Sequence, residues 1–305
     1  MFGHRHEGRR VKGMDPIVSI TPYLMPMRCD AMVFLHHDVE YETLMRYIAR
    51  KNREEGVKIT FLEVIIAAFV RGISQVPECN RFIMNKQYYN RSQLACSMTI
   101  LMDTPDGSLK ENAIKIRFDP SDTIYDVSAR VKKKIAENRD PEQPGFLVHL
   151  ASTLLKIPGA ASLVVGLVRL LDRYGICPAF LIDELPFHTS MFITNNASIG
   201  LHSVYHHIYN FGNTSMFFGL GTPERGYTVN AKGEPIRKCT LPIGITVDER
   251  ICGGAVFAKL FTVMKRCLNH PDELDNPPEQ VFYNEGAEYH EPKPEQLKAG
   301  RAVSA

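Results

Sequence analysis

The feature that most constrains this chain is the order in which its strand and helix patterns follow one another. In the first half they alternate: an apolar strand pattern at Ala31–Glu40, "AMVFLHHDVE", precedes the helical pattern "YETLMRYIARKNREEG". In the second half three strand patterns come in succession, "SMFITNN", "SMFFGLG" and "RKCTLPIGITVD", with a hairpin turn centred on Lys232-Gly233 before the last. This order predicts an α+β fold, a mixed, largely antiparallel sheet with helices on one face.

Two further helices carry their own start signals. Thr60 with Glu63, and Thr123 with Asp126, have the capping-box spacing ahead of apolar periodic segments. Between these helices, "LACSMTILMDT" and "NAIKIRFD" read as strands, joined by a turn at Pro105-Asp106-Gly107.

One domain is expected in the 305 residues, over residues 16–275, because no linker long or polar enough divides them. Residues 1–15 are basic and polar and predict an N-terminal arm. Residues 276–305 are rich in Pro, Glu and Lys and predict an extended or disordered tail. The net charge of +2 offers no electrostatic footprint for nucleic acid, so no nucleic-acid partner is expected.

The seven cysteines argue against a disulfide framework or a zinc site, because their number is odd and none form a C-x-x-C pair. Cys252 has no histidine beside it in sequence, which favours a packing role over a nucleophilic one. No signal-peptide layout begins the chain, so a cytoplasmic location is expected.

An apolar segment at residues 146–175 raises the question of membrane contact. Its longest uncharged run, Ile157–Val168, has 12 residues, against roughly 18 for a bilayer span, and Pro158-Gly159 interrupts the segment. We expect two amphipathic helices packed on the core or at a subunit interface. The alternative, a helix lying on a membrane surface, is the weaker prediction.

Histidines cluster in "GLHSVYHHIYNFG", where His202 and His206 would share a face if the segment were helical. Its aromatic and β-branched neighbours favour a loop or strand instead, so no metal site is expected, and hydrogen-bonded or interface histidines are preferred over substrate-binding ones. On the first strand His36 and His37 fall on opposite faces, so that one of them could reach a site, although a hydrogen-bonded structural role is favoured.

A charged corner joins the last strand to an amphipathic helix in "GITVDERICGGAVFAKLF". Asp248 and Arg250 flank Glu249, and Gly253 and Gly254 would let the chain turn tightly into the helix. From the residues alone, a salt-bridged strand end is favoured over a catalytic corner.

This corner resembles the end of the catalytic domain of the acyltransferase component of 2-oxo-acid dehydrogenase complexes. There the order is strand, Asp-His-Arg-x-x-Asp-Gly, amphipathic helix, and chloramphenicol acetyltransferase shares that fold. The resemblance covers roughly residues 16–272 and includes "FLEVIIAAFVRGISQVPECNRFI" and "SMFITNNASIG". With "PYLM", "FHTSMF" and "YHHIYNFG", the chain is most similar to free-standing members that have no lipoyl domain.

The resemblance implies a chloramphenicol-acetyltransferase-like two-layer sandwich, a homotrimer with active sites between subunits, and acyl transfer with coenzyme A or acyl-coenzyme A as substrate rather than as a tightly bound cofactor. In the related enzymes the histidine takes a thiol proton and a Ser or Thr hydroxyl stabilises the oxyanion. The hydroxyl position corresponds to Thr194. Glu249 stands in place of the histidine and Gly253 in place of the Asp, whereas Asp248, Arg250 and Gly254 match.

The replacement of histidine by Glu249 leaves three hypotheses. Glu249 could act as the base, although proton transfer from a thiol is then about 3 kcal/mol less favourable, roughly a hundredfold in rate, unless burial raises its pKa. The protein could instead be an inactive trimeric scaffold with a Glu249–Arg250 ion pair. In the third hypothesis a neighbouring-subunit histidine, one of His36, His37 and His202, supplies the base.

Overall fold

The computed structural model describes residues 4–103, 109–138 and 146–294. Its strands are β1 (His4–Arg5), β2 (Gly8–Arg10), β3 (Met32–Glu40), β4 (Arg81–Met84), β5 (Gln87–Arg91), β6 (Leu94–Asp103), β7 (Leu109–Phe118), β8 (Met191–Asn195), β9 (Met216–Leu220), β10 (Glu224–Val229) and β11 (Pro235–Asp248). Its helices are α1 (Pro16–Leu24), α2 (Tyr41–Glu54), α3 (Phe61–Gln75), α4 (Ile124–Glu137), α5 (Phe146–Leu154), α6 (Ala160–Tyr174), α7 (Ala179–Glu184) and α8 (Gly254–Asn269).

The main sheet has the strand order β10-β11-β9-β8-β6-β7, with β3 also paired to β11. Strands β6, β8 and β9 run parallel, and the pairs β6–β7, β9–β11, β3–β11 and β10–β11 are antiparallel. The predicted α+β class with a mixed, largely antiparallel sheet is therefore confirmed. Strand β10 has no counterpart in the sequence prediction, because its six residues are all exposed and contain no apolar run.

Helix α3 is central to the helical layer that covers one face of the sheet, because its residues 64–70 are all apolar. Residues 64–70 of α3 are almost wholly inaccessible to solvent and lie in one core cluster with the inward-facing residues of β6, β8, β9 and β11. Each fully buried Ile or Phe side chain stabilises the fold by roughly 1.5–3 kcal/mol. Helix α3 begins as predicted, with the Thr60 N–H donating to Glu63 Oε2 at 2.8 Å.

The segment predicted as a basic N-terminal arm takes a different form over residues 4–10. Strands β1 and β2 form a hairpin that pairs with β5 in a second, four-stranded sheet. The hairpin is held down by buried charge: Arg5 binds Glu7 and the Asp172 carboxylate of α6. The charge of Arg5 can be buried because two buried carboxylates are paired with it.

The C-terminal tail is extended over residues 276–294 and lies on the domain. The Phe282 N–H donates to Ser74 O at 2.8 Å, Asn90 Nδ2 donates to Glu285 O at 3.1 Å, and Ala287 is buried. Residues 295–305, like the predicted turn at Pro105-Asp106-Gly107, lie outside the described residues.

The apolar segment forms two helices, α5 and α6, interrupted at Gly159, whose φ is +81°. Of the two predicted positions for these helices, packing on the core is wrong for α6. The only buried residue of α6 is Asp172, whereas Leu163, Leu167 and Leu170 are exposed. Asp172 ties α6 to the domain through Arg5 and through His188, whose Nε2 lies 2.8 Å from its carboxylate. Across the described ranges, no helix is both long and apolar enough to cross a membrane.

Candidate functional site

A row of four residues crosses the sheet on the face opposite the helices α2, α3, α4 and α8. Thr194 of β8 is paired with Gly219 of β9, Gly219 with Gly244 of β11, and Gly244 with His36 of β3. The alternate residues of these strands, such as Ile193 and Phe218, point into the core on the helical side. The Thr194 hydroxyl, which the resemblance assigns to the active site, therefore lies on the face opposite α2, α3, α4 and α8.

Residues 201–209, without helix or strand, cross this face in direct contact with the strands. A Cβ at Gly219 or at Gly244 would lie 2.5 or 2.4 Å from the Val204 carbonyl oxygen, and one at Gly221 would lie 2.2 Å from Ser203 N. These contacts are closer than any side chain permits, so the glycines on β9 and β11 allow the loop backbone to rest on the sheet. We call residues 201–209 the histidine loop.

The histidine loop brings His206 to Thr194. His206 Nε2 lies 2.9 Å from Thr194 Oγ1, and its ring stacks on Phe217, with centroids 4.3 Å apart and 23° between the planes. Both side chains are half-buried. Burial, with a smaller contribution from the charge of His207, lowers the pKa of His206, so its imidazole is neutral at pH 7 and can accept a proton.

Several polar atoms near this pair have no hydrogen-bond partner among the described residues. They include Asn195 Oδ1 and Asn196 Nδ2, which directly follow Thr194, and the buried hydroxyl of Thr246, which alternation places on the same face of β11. Buried polar groups are normally bonded, and an unpaired one costs about 1–3 kcal/mol. A polar ligand at this face would remove that cost for Thr246.

The charged corner is a buried ion pair beside an exposed carboxylate. Arg250 donates from Nε and Nη2 to the two oxygens of Asp248 at 2.8 and 2.7 Å, and from Nη1 to Met25 O at 2.7 Å. The Glu249 side chain is exposed and, within the described ranges, has no ion pair. The Glu249–Arg250 pair of the scaffold hypothesis is therefore wrong, because Asp248 already occupies the guanidinium.

The double glycine does not make the tight turn that the sequence suggests. Gly253 has φ −69° and caps α8, and Gly254 is absent from the residues with positive φ. A Cβ at either position would meet nothing within 4 Å. The turn therefore accepts any residue, and the glycines leave open space at the start of α8, beside Glu249.

Thr194 and Glu249 are far apart within one chain. Glu249 lies five residues beyond Gly244 along β11, which is about 16 Å at 3.3 Å per residue, and β11 lies two strands from β8, about 10 Å away. The separation is therefore about 19 Å. A single site could contain both only if they came from different subunits.

The other histidines singled out from the sequence lie away from Thr194. His36 is in the same row but three strands distant, and its Nε2 lies 3.0 Å from Asp38 Oδ1. His37 points to the opposite face, toward α8, where burial and then the charge of Lys265 lower its pKa. His202 is exposed, with Nδ1 3.0 Å from Glu224 Oε1.

His206 is the functional candidate that sequence reasoning did not select. It appeared only as a possible metal partner of His202, but the segment is not helical, and the described residues contain no cluster able to hold a metal ion. A signal was present in the glycines of "GLGT" and "PIGIT", since glycine inside a strand pattern indicates a close backbone approach.

Solved structures share this architecture. A dihydrolipoamide acetyltransferase of Azotobacter vinelandii matches with a TM-score of 0.53 and 13% identity, over 87% of this chain and 94% of that one. The truncated catalytic core of the 2-oxoacid dehydrogenase multienzyme complex of Thermoplasma acidophilum matches with a TM-score of 0.52 and 14% identity, over 87% and 100%. The chain shares the fold of these acyltransferase cores. A chloramphenicol acetyltransferase matches at a TM-score of 0.48 and 10% identity, over 86% and 99%.

The similarity is one of fold rather than of sequence. No protein-family model matches the chain, and no curated protein matches it. The expected acyltransferase fold is confirmed by structure, at identities of 13% and 14%.

Two cavities lie away from Thr194 and His206. One of about 520 Å³ is bordered by Arg10, Lys12 and Lys86, and one of about 400 Å³ by Lys115 and Arg117. Burial lowers the pKa of Lys115 to about 7, and its Nζ donates to Ile182 O at 3.0 Å, which fixes α7 to the sheet. Neither cavity is lined by Thr194, a histidine or Glu249.

Proposed function

We propose that this protein is an acyltransferase that moves an acyl group between coenzyme A and an acceptor bearing a nucleophilic thiol or hydroxyl. The observation that carries the proposal is the Thr194 hydroxyl, 2.9 Å from a neutral imidazole, beneath the histidine loop of an acyltransferase-type fold. Such a pairing serves acyl transfer, which needs one group to accept a proton and one to stabilise an oxyanion.

The reaction proceeds in two steps on this face. A base takes the proton of the acceptor, whose oxygen or sulfur attacks the thioester carbonyl while the Thr194 hydroxyl donates to the developing oxyanion. The tetrahedral intermediate then collapses, the carbon–sulfur bond breaks, and the coenzyme A thiolate receives the proton from the base. Coenzyme A is a substrate here and not a resident cofactor.

Glu249 is the candidate base from the sequence, in the position of the family's histidine. In the single chain it is exposed and about 19 Å from Thr194, so the hypothesis requires a neighbouring subunit that buries Glu249 against the Thr194 of another copy. A homotrimer with active sites between subunits supplies such an arrangement. The exposed leucines of α6 support association, because they leave apolar surface uncovered in one chain.

A second candidate function is a binding or scaffolding protein without catalysis. It is favoured by the corner, where the Asp248–Arg250 ion pair is fully formed and the Glu249 carboxylate has no hydrogen bond or ion pair among the described residues. In both candidate functions we place the protein in the cytoplasm, a proposal supported by its seven free thiols.

The deciding experiment measures thiol release from a panel of acyl-coenzyme A thioesters with the wild type and the variant Thr194→Val. Valine keeps the shape of threonine but donates no hydrogen bond, so we expect a loss of about 10²-fold in kcat with little change in KM. The matched control is Thr228→Val on the exposed strand β10, which should behave as the wild type. Absence of turnover with every thioester, beside retained binding of one of them, would establish the scaffold instead.

A further inference from the structure

Three features of the sheet face converge on His206. The glycines of β9 and β11 let the histidine loop lie on the sheet, Phe217 supports the imidazole from below, and Thr194 contacts its Nε2. His206 is thus fixed on two sides while its ring remains half-accessible. A histidine held in this way is placed for proton transfer next to the hydroxyl that stabilises an oxyanion.

We infer that His206, from the same chain as Thr194, is the general base of the acyl transfer and takes the role left by the missing histidine of the corner. The inference rests on the proposed function. It identifies which residue handles the proton and makes Glu249 dispensable for that step.

The resting hydrogen bond explains how the pair operates. With the proton of the neutral imidazole on Nδ1, Nε2 accepts from the Thr194 O–H at 2.9 Å. When an acceptor binds, its S–H or O–H replaces the threonine as donor to Nε2, and the freed Thr194 O–H rotates toward the acyl oxygen. The imidazolium formed on attack returns its proton to the coenzyme A thiolate as the carbon–sulfur bond breaks.

Chemical matching favours His206 over Glu249. The ordinary pKa of an imidazole is about two units closer to the pKa of a thiol than the ordinary pKa of a carboxylate is. The imidazole of His206 stacks on the apolar ring of Phe217, and the neighbouring charge that acts on its pKa is that of His207. An exposed carboxylate such as Glu249 has no comparable surroundings within the chain.

The test compares His206→Gln with His207→Gln in the full chain. His207 is the matched control, because it is the adjacent histidine of the same loop and is exposed. With acetyl-coenzyme A as donor and dihydrolipoamide as acceptor probe, we expect His206→Gln to lower kcat by about 10²-fold or more, and His207→Gln to stay within about twofold of the wild type.

The pH profile separates proton transfer from a structural role. In the wild type, kcat/KM should fall as the pH drops through the lowered pKa of His206, below the usual histidine value, because the protonated imidazole cannot accept a proton. His206→Gln should lose this acid limb. If the glutamine variant does not fold, His206→Ala with added imidazole replaces it, and partial recovery of rate supports the inference.

The outcomes are distinguishable. Wild-type transfer with an unchanged rate and acid limb in His206→Gln overturns the role of His206 and leaves the acyltransferase proposal intact. If Glu249→Gln abolishes transfer and His206→Gln does not, Glu249 is the base. A wild type that transfers no acyl group from any thioester overturns the proposed function and the role of His206 with it.

Discussion

At the residue scale the corner shows how strongly burial changes the meaning of a charge. Asp248 and Arg250 are almost fully buried and bonded through two parallel hydrogen bonds, whereas Glu249 between them is exposed. Breaking a buried pair by removing one charge leaves the other uncompensated, which is far more costly than removing an exposed charge. The three consecutive residues therefore have separate roles, two in holding the corner and one free to meet a ligand or another subunit.

The prediction at this scale is a difference in stability between neighbouring substitutions. We expect Asp248→Asn to lower the free energy of unfolding by about 3 kcal/mol, since Arg250 then lacks its carboxylate partner and the nearby buried Arg28 loses the attraction of Asp248. Urea unfolding followed by circular dichroism measures it. Glu249→Gln is the matched control and should change the free energy of unfolding by less than about 0.5 kcal/mol. Equal effects would contradict the ion-pair assignment.

At the element scale the histidine loop depends on the strands beneath it. Gly219 and Gly244 face the Val204 carbonyl at distances that no Cβ could occupy, so the position of the loop is set by two residues without side chains. The loop in turn determines where His206 lies relative to Thr194. The candidate pair thus comes from one strand and one irregular segment, which can approach each other closely because Gly219 and Gly244 have no side chains.

Gly219→Ala tests that dependence. The added methyl would meet the Val204 oxygen at 2.5 Å, so the loop must lift from β9 and separate His206 from Thr194. We expect a loss of about 1–3 kcal/mol in stability and, where acyl transfer is measured, a fall of about 10²-fold in kcat. Gly226→Ala on β10 is the control, because nothing lies within 4 Å of its Cβ position. Matching behaviour of the two variants would argue against close loop contact.

At the scale of the whole molecule the apolar surface is concentrated outside the core sheet. Helix α6 exposes Leu163, Val165, Leu167 and Leu170, and α1 exposes Ile17 and Leu24. Apolar side chains in water do not stabilise a single chain, and a large exposed apolar surface indicates contact with another protein or with a membrane. The proposed homotrimer would bury them.

The corresponding prediction concerns assembly. We expect the wild type to elute as a trimer in light-scattering chromatography, and Leu167→Asp on α6 to shift it toward the monomer, because a charge would be buried at the interface. Ser162→Asp, on the same helix, adds the same charge without removing an apolar side chain and should weaken assembly less. A monomeric wild type would contradict the trimer.

Periodicity alone determined most of the elements of this protein. The strand patterns at 31–40 and at "SMFITNN", "SMFFGLG" and "RKCTLPIGITVD" became β3, β8, β9 and β11, and the capping boxes at Thr60 and Thr123 begin α3 and α4. These features are local, since backbone hydrogen bonding and side-chain alternation act within a few residues. The hairpin at residues 4–10 was not predictable, because its partners β5 and Asp172 are distant in sequence.

For the candidate site, too, the sequence determined one part and the tertiary structure determined the other. The sequence placed Thr194 on its strand by resemblance and marked the charged corner, but it could not indicate that His206 lies against Thr194 and that Glu249 is about 19 Å away in the chain. That pairing arises from the order of the strands and from the loop resting on two glycines, both long-range features of packing. Local patterns determined which elements form, and only the tertiary structure decided which side chains meet, because contacts across a sheet join residues that no sequence period connects.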